Sequence, residues 1–227
     1  MKGRGIFMAI SHVLYDAASV GCFVSIREVS EFLDEDQKEV LSTMRVLHNV
    51  MVAVSQKEYM EMEEKVLCEL ETCEDKEQFQ RRNQSSSDNE SSYTLNPIVF
   101  SLIEKGIASA PVYSALKTVI SELLNQWENS AKDGKLGEFT VKLSANHRDG
   151  MVKEITRRVV LRETCDLTEE EAERYRKFPM TIEMFKRIVA NRFLEAYKLG
   201  NKMGITITPS DVITYISSQL RKTGFPK

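Results

Sequence analysis

The sequence predicts a mainly α-helical protein: two helical blocks joined by a flexible polar linker, with a few short strands. Apolar residues recur every three or four positions along most of the chain, and capping residues begin several of these stretches. By contrast, the segment from Arg81 to Ser92 contains no apolar side chain. Such a segment cannot bury enough surface to offset the entropy lost on ordering. We therefore expect an acidic helical domain over 1–80, a disordered Ser-rich linker over 81–95 and a mildly basic helical domain over 96–227.

The first block has the element order of a helix-turn-helix or winged-helix unit. Helical spacing runs from Ile6 to Val20, and the Ser25…Glu28 pair has capping-box spacing at the start of a short second helix. A third helix follows the acidic turn 34–36, and the β-branched run 50–54 is typical of a strand. Because helix, short helix, turn, helix and strand follow one another in such units, the sequence predicts a winged-helix-like first block.

The charge of the predicted third helix argues against direct recognition of DNA. A DNA-reading helix needs cations or amides near its start, where it meets phosphates and base edges. This helix instead follows Asp34, Glu35 and Asp36, which repel phosphate. A protein-binding winged helix, or three helices that only pack together, is favoured for this block. A further helix over 56–72 is dense in glutamate, which indicates a solvated face or a docking surface for a basic partner.

The linker contains serines flanked by acidic residues, which is compatible with modification by a kinase. The candidate positions are Ser85, Ser86 and Ser87. A phosphate at any of them would add roughly −1.5 to −2 charges. A passive flexible spacer is the simpler interpretation of the same residues.

The second block is predicted to be helical after Asn96–Pro97, with one ambiguous stretch in its middle. Residues 139–143 alternate as a strand does, and 146–150 have the composition of a turn. Residues 151–163 fit a helix slightly better than a strand. Capping residues then predict three helices, which begin after Thr168, Thr181 and Thr208.

The cations of the second block form the candidate contact surface. We count a net charge of −8 over 1–95 and +5 over 96–227, so that the second block tolerates contact with an anionic partner. The candidate residues for contact with nucleic acid or an acidic protein surface are Lys153, Arg157, Arg158, Arg162, Lys186 and Arg187. A solvated basic face without a partner is the competing interpretation.

The sequence contains no motif that fixes a reaction, a metal or a cofactor. Phosphate-binding glycine loops, zinc-ligand spacings and a nucleophile elbow are all missing. His147 lies beside Arg148 and Asp149, but the surrounding residues favour a surface turn over a catalytic site. We expect no cofactor, no metal and no membrane span. The four cysteines show no paired spacing and are expected to be buried reduced thiols of an intracellular protein, in the cytoplasm or the nucleus.

These observations favour a non-enzymatic interaction or regulatory protein that forms homo-oligomers. Its basic C-terminal block would contact RNA, DNA or an acidic protein partner. By analogy, a Ser/Asp/Asn-rich linker between helical blocks is typical of viral and eukaryotic regulatory assemblies. Two alternatives stay open: a winged-helix DNA-binding transcriptional regulator that uses the first block, and a small enzyme without a recognisable motif.

Overall fold

A computed structural model describes residues 2–70, 91–107 and 110–223, and the fold is mainly α-helical as predicted. Over the described residues the order is α1 (Lys2–Ser19), β1 (Val24–Ser25), α2 (Ile26–Leu33), α3 (Gln37–Asn49), β2 (Ala53–Ser55), α4 (Gln56–Glu69), β3 (Ser92–Leu95), α5 (Pro97–Ile107), α6 (Val112–Lys132), α7 (Leu136–Cys165), α8 (Glu169–Lys177), α9 (Ile182–Lys202) and α10 (Pro209–Lys222). The chain forms two compact units: residues 1–64 with 74–152, and residues 65–73 with 153–227. They are called the first unit and the second unit below.

The capping residues predicted from the sequence begin their helices in the structure. Ser25 and Glu28 form the expected capping box at α2, and the Asp36 carboxylate accepts the Lys38 N–H at 2.8 Å at the start of α3. Thr168 caps α8 with Glu171, and Thr208 caps α10 with Asp211. These contacts satisfy N–H groups that the first turn of a helix leaves without a partner.

The three short strands give the first unit the topology of a winged helix. In the antiparallel sheet β3 lies between β1 and β2, with Val24 opposite Tyr93 and Ala53 opposite Leu95. A winged-helix unit consists, in chain order, of a helix, a strand, two helices and two further strands. In its sheet the last strand lies between the other two. The connection from β2 to β3 corresponds to the wing, and here it includes α4. The helix, short helix, turn, helix and strand predicted for this block are present, whereas β3 and its pairing with β1 and β2 were not predicted.

The last residues of the predicted linker, Ser92–Leu95, are ordered in the structure. Ser92–Leu95 is the central strand of the sheet, and Thr94 and Leu95 are buried. The buried core of the first unit also joins α1, α2 and α3 to Leu95, Val99, Ile103 and Leu116. The predicted boundaries at 80 and 95 therefore do not coincide with those of the compact units. The reason is that the apolar face of α1 is covered by β3 and α6, which follow the polar segment.

A single helix, α7, replaces the strand and the turn expected over 139–150. It extends from Leu136 to Cys165, so both predictions were wrong, and the ambiguous stretch 151–163 is helical. The glycine that suggested a turn, Gly150, lies inside this helix. A Cβ atom at Gly150 would meet the Ile98 side chain at 2.6 Å, so glycine here permits close packing against α5. Residues 139–143, whose alternating pattern predicted a strand, are therefore part of a helix.

The second unit has its own core, in which a glycine of α9 lies against the following loop. Residues of α7, α8, α9 and α10 contribute to this core, including Val160, Tyr175, Ala196 and Ile216. Gly200 is buried, and a Cβ atom there would lie 2.9 Å from the Ile205 carbonyl oxygen and 2.7 Å from the Ile207 side chain. A backbone oxygen cannot move aside as a flexible side chain can.

We expect Gly200→Ala to lower the free energy of unfolding of the second unit by about 1–3 kcal/mol through overpacking. Gly137→Ala in the first unit is a control for the substitution itself, because a Cβ at Gly137 would meet nothing within 4 Å. Alanine there should be neutral or stabilising by up to about 1 kcal/mol. Urea denaturation followed by circular dichroism compares each variant with the wild-type chain, and an unchanged midpoint for Gly200→Ala would refute the packing argument.

Candidate partner-binding surfaces

The central arginines of the predicted cationic cluster are engaged with a carboxylate in α7. Arg157 Nη1 lies 3.1 Å from Glu154 Oε2, and Arg158 Nε lies 3.8 Å from Glu154 Oε1. Their side chains are only 32% and 30% exposed. The Nε atom of Arg157 is buried and has no hydrogen-bond partner. These two arginines therefore present less free charge to a partner than the sequence indicates.

The other four predicted residues lie on two helices of the second unit. Lys153 and Arg187 are exposed on α7 and α9. Arg162 pairs with Glu163 at 3.4 Å, and Lys186 pairs with Glu183 at 3.3 Å. Exposed pairs of this kind contribute little to stability and can exchange partners. The four residues are accessible to different degrees: Arg162 is partly buried and the other three are exposed.

A second set of cations, outside the six candidate residues, lies where α8 and α10 end. Arg176 Nε donates a hydrogen bond to the Thr223 carbonyl oxygen at 3.3 Å, which brings the two helix ends together. We call this set the α8–α10 edge; its exposed cations are Arg174, Arg176, Lys177, Arg221 and Lys222. Basic last turns in two capped helices, α8 and α10, were the available signal. The sequence does not show that the two turns meet.

A polar network anchors the loop between α7 and α8 and so fixes the start of α8. The Arg192 guanidinium donates to both oxygens of Glu171 at 2.8 and 2.7 Å, and to the Asp166 carbonyl oxygen at 2.9 Å. The Asp166 carboxylate accepts hydrogen bonds from Tyr215 and Gln219 of α10. Burial, together with the bond to Asp166, raises the pKa of Tyr215 well above its ordinary value. These groups satisfy one another, which indicates a structural role.

The first unit contains a His–Glu–Ser arrangement between α3 and α4. His48 Nε2 donates to Glu58 Oε2 at 2.8 Å, and Ser55 Oγ donates to the same oxygen at 2.7 Å. A serine nucleophile needs a hydrogen bond from its hydroxyl to a base that can take its proton. Here the hydroxyl instead bonds the carboxylate and also accepts the Glu58 N–H at 3.3 Å. The group therefore caps α4 and ties the end of α3 to it.

The hydrogen bond between His48 and Glu58 shifts the pKa of both side chains. The hydrogen bond from His48 raises its pKa against the opposing effect of burial, and the same bond lowers the pKa of Glu58 to about 2. Stability from the raised histidine pKa is present at acidic pH and is lost as pH rises through that pKa. Stability from the lowered glutamate pKa is present above pH 4.5 and is lost as pH falls toward about 2. Both groups are partly exposed, so solvent screening reduces each contribution.

We expect Glu58→Gln to lower the pKa of His48, because the burial effect then remains without a charged partner. Nuclear magnetic resonance titration of the histidine ring protons measures this shift. His147 is the internal reference, because burial lowers its pKa and its ring bonds the Leu143 carbonyl oxygen at 3.0 Å. An unchanged His48 pKa in the variant would contradict the assigned contact.

The predicted turn around His147 is part of α7. His147 Nδ1 donates to the Leu143 carbonyl oxygen within the same helix. The prediction of a surface turn was therefore wrong in its local structure. The described hydrogen bond of the His147 ring is to a backbone carbonyl oxygen, not to a nucleophilic side chain, so it gives no support to a catalytic site here.

The surface formed by α2 and α3 would face DNA in a DNA-binding winged helix, and here it is acidic with an exposed aromatic side chain. Phe32 is 77% exposed at the end of α2. The exposed charged residues of this surface comprise three cations and six carboxylates, namely Arg27, Lys38, Arg45, Glu28, Glu31, Asp34, Glu35, Asp36 and Glu39. Carboxylates around the start of α3 disfavour contact with phosphate.

The remaining candidate features add no further site within the described residues. Cys22 and Cys68 are exposed free thiols and Cys165 is buried, so the expectation of buried thiols was wrong for the first two. The described residues contain no cluster of acidic, histidine or cysteine side chains that fits a metal ion. No described helix is both long enough and apolar enough to cross a membrane. Ser85, Ser86 and Ser87 lie outside the described residues.

Comparison with protein-family models, curated proteins and solved structures finds no match to this chain. The likeness of the first unit to a winged helix therefore rests on its element order and strand pairing alone.

Proposed function

We propose that this chain is a non-enzymatic interaction protein whose second unit contacts nucleic acid. The observation that carries the proposal is the separation of charge between the compact units. The first unit has 15 basic and 22 acidic residues, a net charge of −7, whereas the second has 16 and 12, a net charge of +4. The separation predicted from the sequence thus persists when the chain is divided by contacts. A basic unit attracts phosphates, and an acidic unit repels them.

The test is binding of fluorescently labelled single-stranded and duplex oligonucleotides to the full chain across a salt series. Neutralised phosphates release counterions, so the logarithm of affinity should fall linearly with the logarithm of salt concentration. For about three to five phosphate contacts on a single strand, we expect a slope of roughly −2 to −3.5. Absence of binding to both oligonucleotides at low salt would refute the proposed function.

The second candidate function is a winged-helix regulator that reads duplex DNA through α3. The sheet order and the exposed α3 support it, while the acidic residues around the start of α3 count against it. Lys38 and Arg45 are the exposed cations of this helix. If the regulator hypothesis holds, Lys38→Glu with Arg45→Glu should abolish duplex binding by the full chain. If the second unit carries the contact, this variant should retain most of the affinity.

Homo-oligomerisation is a further part of the proposal and is supported by apolar side chains on the outer face of α9. Leu194 and Tyr197 are exposed at helical spacing, a pattern that self-associating helices use. Light scattering of the purified chain at several concentrations tests this part. A mass that stays at 26.0 kDa would refute it.

A further inference from the structure

The α8–α10 edge combines cations from two helices at one place. The hydrogen bond from Arg176 Nε to the Thr223 carbonyl oxygen joins the two helix ends at 3.3 Å. The other four cations, Arg174, Lys177, Arg221 and Lys222, each lie within two residues of one end of this bond. Charges that are separated by more than thirty residues in the sequence therefore lie at one end of the second unit.

The charge of this edge is only partly compensated. Arg176 and Lys177 share the carboxylate of Glu173, at 2.9 and 3.2 Å. These pairs are exposed, so a phosphate can replace the carboxylate at little cost. Glu169 and Glu170 lie about 10 Å along the helix axis from Arg176 and Lys177, at 1.5 Å per residue. Glu171 is engaged by the Arg192 guanidinium. An anion at the edge therefore meets a net positive surface.

An exposed aromatic side chain lies directly beside these cations. Phe178 is the residue after α8 and is 70% exposed, although its backbone N–H is held by the Arg174 carbonyl oxygen at 2.9 Å. The following residue is Pro179, which restricts the backbone of Phe178 to extended conformations. The ring is thus exposed on a constrained backbone. An exposed ring on a fixed support beside cations is the arrangement on which single-stranded bases stack.

Stabilisation of the helix ends explains the cations but not the aromatic ring. Cations in the last turn of a helix interact favourably with its dipole, and both α8 and α10 gain from this effect. That benefit does not require the two ends to meet, and it gives no reason for exposing Phe178. An acidic peptide would use the cations but would have no flat base to stack on the ring. Single-stranded nucleic acid uses both.

We propose that the α8–α10 edge is a single-stranded nucleic-acid site, with its cations contacting successive phosphates and Phe178 stacking on one base. This inference rests on the proposed function, of which it names the site and the form of the ligand. Duplex DNA or RNA should bind more weakly at this edge, because its bases are paired and cannot stack on the ring.

The experiment measures binding of a labelled single-stranded oligonucleotide to full-chain variants by fluorescence anisotropy. Arg221→Glu with Lys222→Glu should weaken binding about tenfold or more in 50 mM salt and make the salt slope shallower by about 1.4, since each phosphate contact contributes about 0.7. Neither residue takes part in the Glu173 pairs or in the bond to Thr223. Phe178→Ala should weaken binding about tenfold and leave the salt slope unchanged.

The matched control is Lys198→Glu with Lys202→Glu, which makes the same change of charge on exposed residues of α9. It should weaken binding by less than about threefold. Circular dichroism of each variant establishes that it is folded. Absence of binding by the wild-type chain would refute the proposed function itself. Wild-type binding with equal losses in the edge variant and the control would overturn only the site.

A competition experiment separates nucleic acid from an acidic peptide. A glutamate-rich peptide with the same charge as the oligonucleotide should displace it only at much higher concentration, because the peptide gains nothing from Phe178. Equal competition, with Phe178→Ala affecting neither ligand, would overturn the inference and identify the edge as a protein-docking surface.

Discussion

A fragment containing residues 1–80 should show no cooperative unfolding, whereas residues 1–152 should unfold cooperatively. Seven of the eighteen buried residues in the core of the first unit follow the polar segment, namely Leu95, Val99, Ile103, Ala115, Leu116, Ile120 and Leu124. The larger ones each contribute about 1.5–3 kcal/mol by burial. Their loss amounts to roughly 10 kcal/mol, which is comparable with the whole stability of a typical domain. The shorter fragment also lacks the central strand of the sheet.

Thermal and urea denaturation of the two fragments, followed by circular dichroism and by amide resonance dispersion, compares them directly. Helical signal without a cooperative transition is the expected result for residues 1–80. A sharp transition for that fragment would show that the first block folds by itself, as the sequence alone suggests.

The second large effect is expected at Asn96, a buried polar residue between β3 and α5. Its side chain is fully buried; Nδ2 donates to the Met51 carbonyl oxygen at 2.8 Å, and Oδ1 accepts the Ile98 N–H at 2.9 Å. Met51 has a positive φ of 59°, so this contact also holds a backbone conformation that non-glycine residues rarely adopt. Asn96→Ala removes the partners of two partly buried backbone groups. At about 1–3 kcal/mol for each fully buried group the upper limit is about 6 kcal/mol, and with partial burial we expect a loss of about 2–4 kcal/mol.

Asn96→Asp separates the two hydrogen bonds. Aspartate can still accept the Ile98 N–H, but its carboxylate cannot donate to Met51 and instead repels that carbonyl oxygen. We expect this variant to be strongly destabilised at neutral pH and to recover stability as pH falls and the carboxyl group gains a proton. Urea denaturation at pH 7 and pH 5 measures the difference. Equal losses at both pH values would contradict the assigned donor role.

The helices and their caps could be predicted because the information is local. Ser25, Thr168 and Thr208 each lie three residues before an acidic partner, and this spacing alone specifies a capping box. Around Gly150 the same local logic failed. Turn-forming residues lie inside a long helix because the glycine accommodates Ile98 of α5, a contact with a residue far away in the sequence.

The sheet and the candidate site depend on contacts across the chain and could not be derived from local patterns. Ser92–Leu95 follows a polar segment, and its role becomes evident only through pairing with both β1 and β2. Likewise, the cationic run of α7 attracted attention because its charges are close in sequence, but Arg157 and Arg158 share Glu154. The α8–α10 edge is assembled by the bond from Arg176 to Thr223, forty-seven residues apart.

Photo-crosslinking of a single-stranded oligonucleotide to the full chain, with the attached peptides located by mass spectrometry, tests the central functional claim most directly. We expect crosslinks in 174–182 and 219–223, with Phe178 among the modified residues. Crosslinks concentrated in α2 and α3, over 26–49, would contradict it and would assign nucleic-acid contact to the winged-helix-like unit instead.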